Sequence, residues 1–521
     1  MKKFIAIALI FIALFGCQKY YFRNVYSDYN ALLHNTKNPN VKPFLKGHLK
    51  NGDVVIFSNT WKVDTITNEV SGTGVRYDFN RHRISDGLQT VSIDSVSVFE
   101  SNEQIYGSES GRIAGLTILT GLDVVLSIYC FTNPKACYGS CPTFYRNPDL
   151  NVHYADAEGF SNAIAPSMEY TDVDALNYST RGNSVFKLTM KNEALETHCV
   201  DEVNLLAFEK ESGLNIFHTS NDKYFSCKGE YPIVKAIADN YDVTKLLLHP
   251  DKTERFSLSD SADITSKETI FLDFGNQIPD NPGLIVDFRQ TLMTTYFIYN
   301  SIAYCGDEYS DMIAKIESNS EVKTRVKNGL RKELGGIDVY VQRKGSDKWI
   351  LQGTFYETGP IAINRQMVPL DSEIGKIKLE MNKGLWRVDY LALTDVKEEV
   401  KPIVLSPFLV TKKGKVDFTS QKALGSPQEY IYSLPGDEFE FSYKLPSLDK
   451  EYSLFLSSEG YYLEWMRKDW LKDKNLAKLK ELLLFPKKYL RSETANYKLY
   501  ESKMEDQFWG SRIDTKTFSI K

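Results

Sequence analysis

Short runs in which apolar and polar positions alternate cover most of the chain. After Asn51-Gly52-Asp53 comes Val54-Val55-Ile56-Phe57; Trp61, Val63 and Thr65 alternate, and Val75, Tyr77 and Phe79 follow. A period of two is the mark of strands with one buried face. Val91-Ile93 and Val96-Val98 run on opposite parities, which predicts a bulge or turn between them. Farther on, Leu205 to Phe208 and Leu214 to His218 flank a hairpin-like turn at Glu211-Ser212-Gly213. Ile270 to Phe274 and Gly283 to Phe288 read as strands, and Thr291 to Tyr299 continues the pattern. Then Ile337, Val339 and Val341 alternate before a turn at Gly345-Ser346-Asp347, and Trp349, Leu351 and Phe355 return. Ile377, Leu379 and Met381 lead through Asn382-Lys383-Gly384 to Trp386, Val388 and Tyr390.

Helical spacing interrupts in two places. Val322, Val326, Leu330 and Leu334 recur every fourth residue and end at Gly335-Gly336. Near the C-terminus, Leu476, Leu479, Leu482 and Leu483 precede Pro486, and Tyr497, Tyr500, Met504 and Phe508 share one later face. The stretch from Arg467 to Arg491 has nine Lys or Arg against three Asp or Glu. That basic charge suits either an anionic membrane surface or the solvated side of a helical hairpin.

The N-terminus has a different character. Lys2 and Lys3 precede an apolar run from Phe4 to Phe15, which is too short for a permanent span and has the order of a signal peptide. Leu14-Phe15-Gly16-Cys17 resembles the lipobox of bacterial lipoproteins, although Phe15 is bulkier than the small residue usual there. The resemblance implies cleavage before Cys17 and acylation of that residue, including palmitate-type chains. The mature charge then moves from −5 to −7 by loss of Lys2 and Lys3. Several acyl chains anchor stably where one does not. Gln18 in place of Asp favours the outer membrane over inner-membrane retention. The second apolar stretch, Ile113 to Phe131, is interrupted by Asp123 and reads as a connector rather than a span.

The domain plan expected from these patterns is mainly β with α+β parts. It has a signal peptide at 1–16, a lipidated N-terminus and tether at 17–43, a small β-barrel or sandwich at 44–110, and a hydrophobic connector at 111–131. An α+β region fills 132–260, a β-sandwich with an inserted helix at 307–334 fills 261–400, and a β/helical segment fills 401–521. The sandwich at 261–400 is similar to jelly-roll and discoidin-like sandwiches, many of which bind glycans.

Six cysteines remain beyond Cys17: Cys130, Cys137, Cys141, Cys199, Cys227 and Cys305. In an exported chain they could form up to three disulfides, with a local bridge among Cys130, Cys137 and Cys141. Cys137-Tyr138-Gly139-Ser140-Cys141-Pro142-Thr143-Phe144 resembles a signature of uncharacterised exported bacterial domains, over about Lys135 to Gly213, and brings no known activity. Its Cys-x3-Cys-Pro spacing is also that of copper-delivery proteins of the thioredoxin fold, so His198 and Cys199 are the candidate partners of a metal or thiol site. Trp349 and Trp386 are candidates for a ligand-stacking platform, with burial in the core as the plainer reading.

Composition narrows function by exclusion. With 63 basic and 68 acidic residues, the chain lacks the strongly basic balance typical of nucleic-acid binders. No nucleophile elbow, HExxH, Walker loop or dinucleotide fingerprint is present, and the seven histidines are scattered. No cofactor is expected, and the balance leans away from an enzyme. The reading is therefore a lipid-anchored envelope protein with a binding or structural role, whose partners are the membrane and envelope proteins or glycans. A glycan-binding or glycan-processing protein and a thiol- or metal-handling protein are the alternatives.

Overall fold

The computed structural model describes residues 20–26, 45–49, 53–57, 61–77, 83–105, 141–148, 154–306, 329–464 and 473–516, apart from 166–167, 177, 179, 181, 195, 357–358, 425, 427–428 and 434–435. The signal region with Cys17, the 111–131 stretch, Cys130 and Cys137 lie outside the described residues. The protein is mainly β, with several sheets and a few helices toward the C-terminus.

The chain forms two compact units. The first holds a seven-stranded antiparallel sheet made from Tyr20–Tyr26, Leu45–Leu49, Val54–Phe57, Lys62–Asp64, Glu69–Tyr77, Arg83–Ser92 and Val96–Ile105. Alternation places Leu45, Leu49, Val55, Phe57, Trp61, Val70 and Phe99 in one core. The parity change after Val91 is a short 3-10 turn, Ile93–Ser95, which re-phases the next strand. Gly72 is needed where it is, because a Cβ there would lie 2.6 Å from Trp61 Cα. The first strand, Tyr20–Tyr26, extends this sheet along Val96–Ile105, so the ordered module begins well before the expected residue 44.

The second unit holds four sheets. The second sheet runs in the order Lys415–Val416, Leu409–Lys412, Glu438–Lys444, Val185–Lys191, Thr143–Tyr145, Ala157–Glu158. The third runs Tyr170–Leu176, Tyr452–Glu464, Glu196–Glu209, Ile403–Leu405, with Ile431–Ser433 also paired to Glu196–Glu209. Both combine chain from before residue 210 with chain from after residue 402. Between those segments, residues 214–400 build the fourth and fifth sheets. The fourth is ordered Tyr224–Pro232, Leu214–His218, Asn364–Pro369, Pro282–Gln290, Trp386–Val400, Arg255–Phe256. The fifth is ordered Tyr241–Asp242, Lys235–Ala238, Lys267–Asp273, Ile374–Asn382, Ile337–Arg343, Trp349–Phe355. Phe288 of the fourth meets Phe355 of the fifth with ring centroids 5.5 Å apart.

This nesting corrects two expectations. The division at residue 260 falls inside the fourth and fifth sheets, because strands from Leu214 onward pair with strands beyond 280. The turn at Glu211-Ser212-Gly213 exists, but its flanking strands enter different sheets and do not pair as a hairpin.

A third difference concerns Thr291 to Tyr299. Met293–Cys305 is a helix. Its composition is rich in β-branched and aromatic residues, and it is buried on most sides: Tyr299 and Ile302 to Cys305 are covered as well as Met293, Tyr296, Phe297 and Asn300. Tyr296 and Phe297 pack on Tyr497 and Tyr489 of the helix Pro486–Glu501. Pro486 both follows Leu476–Leu484 and occupies the first turn of the next helix, where a missing N–H costs nothing. Residues 329–334 are helical and close on Gly335 at φ +73°, while 307–328 lie outside the described residues.

Candidate functional site: an open aromatic face and a covered charged one

Inward positions of the fifth sheet are mostly apolar: Ala236, Ile270, Leu379, Val339 and Val341 are buried, and the inward Glu268 is paired with Arg255. Register then decides which outward residues meet. Ile237 lies opposite Phe271, Phe271 opposite Lys378, Lys378 opposite Tyr340, and Tyr340 opposite Leu351. These five residues form one row across five neighbouring strands. Phe271 is 48 % exposed and Leu351 51 % exposed. Trp349, half-buried, leans across the same face with its ring centroid 6.1 Å from that of Phe271. The Lys378 ammonium lies 4.8 Å from the Trp349 ring centre and 4.9 Å from that of Tyr340.

Polar groups edge the strip. Lys267 pairs with Asp338 at 3.1 Å, Thr354 donates to the other Asp338 oxygen at 2.8 Å, and Lys378 pairs with Glu380. Burial, with Asp338 and Glu380 nearby, raises the Tyr340 phenol above its ordinary value, so it keeps its proton at neutral pH. The face therefore offers flat apolar surface, hydroxyls and charges that are already balanced. The sequence identified Trp349; Phe271, Tyr340 and Lys378 come from separate strands and join it only through register.

Trp386 does not belong to such a surface. It is 1 % exposed and packs on Phe288 at 5.8 Å. Val388, two residues on and opposite Phe288, is also buried, so this strand turns the indole into the core.

The fourth sheet carries a different outward layer. Arg289, 2 % exposed, makes two bonds to Glu254, one of 2.5 Å and one of 2.6 Å, a third bond to Glu505, and a fourth to the Pro360 carbonyl at 2.8 Å. Arg387, its register partner, also reaches Glu505. Beside them Arg365 grips Asp287 in two bonds, 2.6 and 2.7 Å, with Glu230 at 3.5 Å. A bulge opposite Asp287 and Phe288 inserts Asp389 into the same strand. Asp389 is 2 % exposed, accepts from the Lys252 backbone N–H, and has neighbouring carboxylates at Asp287, Glu254 and Asp251. Burial first, then those charges, push its carboxyl up to about 6. Loop residue Tyr154 and the helix Met504–Ser511 help cover this layer: Tyr154 donates to Glu254 at 3.4 Å and stacks edgewise on Trp509 at 5.8 Å.

The cysteine motif ends in a tight polar corner. Cys141, Glu158, Ser161, Glu196, Tyr299 and Tyr462 line a cavity of about 20 Å³, room for roughly one water. Glu158 accepts from the Ile361 and Ala362 N–H groups at 2.6 and 3.2 Å, and Glu196 is bonded to His198 at 2.7 Å. Cys141, Cys199, Cys227 and Cys305 are all buried, and no disulfide joins two described residues. Among the described residues no group of three or more His, Cys, Asp or Glu side chains is set to hold a metal ion. His198 and Cys199 are adjacent on one strand, pairing with Ser433 and Tyr432, so their side chains leave opposite faces of the third sheet. No described helix is long and apolar enough to cross a membrane.

Comparison with protein-family models, curated proteins and solved structures finds no match to this chain.

Proposed function

We propose that this is a lipid-anchored protein of the cell envelope, held at the outer membrane through Cys17, that works by binding rather than catalysis. Its ligand is a glycan, taken on the open face of the fifth sheet. The observation that carries the reading is the juxtaposition of Phe271, Tyr340, Trp349 and Leu351 around Lys378 on a solvent-facing sheet. Exposed apolar patches rimmed by polar groups mark interaction surfaces. A sugar ring has an apolar C–H face and a hydroxyl edge. Aromatic rings match the first, and Asp338, Glu380, Gln342 and Thr354 supply partners for the second. The ion pairs Lys267–Asp338 and Lys378–Glu380 balance the charges beside the rings, which suits a neutral saccharide.

The anchor rests on the order of charge, apolar run, small residue and cysteine at positions 2 to 17. Two measurements test the whole. Cys17→Ser is expected to move the protein from the membrane to the soluble fraction; continued membrane association would remove the anchor. The chain from residue 18 onward, titrated against soluble neutral polysaccharides by calorimetry, is expected to bind at least one of them. Equal retention of wild type and the Phe271→Ala/Trp349→Ala variant on every glycan would remove the platform.

A further inference from the structure

We propose that the corner between the helices Leu476–Leu484 and Pro486–Glu501 is a membrane-contact site, which sets Leu484 and Phe485 into the interface of a bilayer containing anionic phospholipid while the lysines beside them meet its headgroups. The corner takes its setting from the envelope placement proposed above, but it uses neither Cys17 nor the aromatic face of the fifth sheet.

The run Leu482-Leu483-Leu484-Phe485-Pro486-Lys487-Lys488 holds more apolar side chains than the fold covers. Leu479 and Leu482 are buried on the inner side of the first helix, and Tyr489, Leu490 and Tyr497 on that of the second. Tyr489 packs on Phe297 with ring centroids 6.0 Å apart. Leu484 and Phe485 are left at the turn, 40 % and 60 % exposed. Their place is fixed from both sides. The Phe485 N–H donates to the Glu481 carbonyl at 2.8 Å, and the Phe485 carbonyl accepts from the Tyr489 N–H at 3.0 Å. Pro486 further restricts the backbone of the residue before it. A ring already held outward loses little freedom when a partner buries it.

Charge names the partner. Residues 477–491 carry Lys478, Lys480, Lys487, Lys488 and Arg491 against Glu481 alone. Lys478 is matched by Glu493, Lys488 by Glu481 at 2.7 Å and Arg491 by Asp263 at 2.7 Å. Lys480 and Lys487 are exposed and have no ion pair among the described residues. Lys480 stands one helical turn before Leu484 on the same side, and Lys487 follows Phe485 by two residues. Apolar tips between unmatched cations fit an anionic leaflet: the tips enter the acyl boundary and the ammonium groups stay among the phosphates. A soluble polyanion would satisfy the lysines and leave Leu484 and Phe485 in water. Even one myristoyl chain binds a membrane only marginally and reversibly. Two side chains do no more, so the corner orients a protein held by other means and does not keep an unlipidated one on the membrane through fractionation.

Vesicle flotation tests this on residues 18–521, which keep every described element and carry no lipid. At low ionic strength the protein should partition at least about tenfold better onto phosphatidylcholine vesicles with roughly 30 % phosphatidylglycerol than onto phosphatidylcholine alone, and high salt should erase the difference. Lys480→Gln/Lys487→Gln should weaken that partition roughly 30-fold, at the usual gain per basic residue near such a surface. Leu484→Ser/Phe485→Ser should weaken it by about tenfold or more. Both variants should keep the wild-type unfolding midpoint, because the substituted side chains are exposed. Phe271→Ala/Trp349→Ala should bind vesicles as wild type does. No binding to the anionic vesicles, equal binding to both kinds, or wild-type binding by either corner variant overturns the contact and leaves the glycan face untouched. Self-association lost in Leu484→Ser/Phe485→Ser, without vesicle binding, overturns it too and assigns the corner to a second copy of the chain. Failure of the Cys17→Ser fractionation with vesicle binding intact would remove the anchor and not the corner.

Discussion

The fourth and fifth sheets are neighbours in the same unit, and their outward faces invert the usual pattern. The fourth sheet covers a layer of charge: Arg289, Arg365 and Arg387 with Asp287, Glu254 and Glu505 are mostly closed off by a loop and the helix Met504–Ser511. The fifth leaves aromatic rings in solvent. Each arrangement costs stability if it does nothing else. Buried ion pairs return little beyond their desolvation, and exposed aromatics forgo burial. The difference shows two uses of a sheet face. The charged layer fixes which elements close over the fourth sheet, since Arg289 joins Glu254 from the chain before the strands to Glu505 from a helix more than two hundred residues later. The aromatic layer is left uncovered by the described residues, which is what the proposed ligand face requires.

That comparison breaks first at Arg289. Arg289→Ala removes the cation that holds the buried Glu254 in two bonds and leaves Glu254 and Glu505 only Arg387, so a loss of about 3 kcal/mol, the low end for a broken buried pair, is expected in denaturant unfolding. Arg289→Met combined with Glu254→Gln should recover much of it, because removing both charges removes the desolvation cost. A single-variant loss below about 1 kcal/mol would mean that the layer does not hold the helix. Second in size is the platform: Phe271→Ala/Trp349→Ala should weaken glycan binding by about 2 kcal/mol, roughly 30-fold, as expected for buried-on-binding aromatic anchors. Folding stability should fall by far less than for Arg289→Ala. If the ordering of the two stability losses reverses, the rings are core residues and not a surface.

The smallest effect sharpens the contrast through pH. Asp389 in the charged layer is raised to about 6, so its contribution to stability is full below about 4 and is lost as pH climbs through 6. His218, on the first strand of residues 214–400, is buried and held down to about 4, so it acts in the opposite sense, losing stability as pH falls from about 6.5. Between about pH 4 and 6, Asp389→Asn should remove a fall in stability with rising pH and His218→Gln should remove a rise, so the two substitutions change the slope in opposite directions. The fifth sheet's face, whose cations are paired on the surface, should contribute no comparable slope. Curves unchanged by either substitution would show that these buried groups do not set the pH response.

Local pattern was a good guide wherever one strand or helix decided its own conformation. Ile337, Val339 and Val341 announced their strand, the parity change after Val91 announced Ile93–Ser95, and Gly335 announced a helix end. Met293–Cys305 misled because its residue types favour strands and its nearly continuous apolar run shows no period, so packing against Tyr489 and Tyr497 decided the helix. Trp349 and Trp386 look alike in sequence, each opening a strand after a turn; one stands at a sheet edge and the other in a central strand buried on both sides. The Arg289 cluster left no trace in the sequence, since its members are drawn from segments separated by tens to hundreds of residues.

By itself the amino-acid order determined the β-rich class and most individual strands, because side-chain alternation is a property of neighbours in the chain. Its first seventeen residues also carry all that points to an anchor. Tertiary structure alone decided the nesting of residues 214–400 between two halves of the second and third sheets, the row that gathers Phe271, Tyr340 and Trp349, and which charged groups meet over the fourth sheet. The physical reason is that strand pairing and burial are long-range: register aligns residues from separate strands, and the dielectric around a charge depends on everything packed against it.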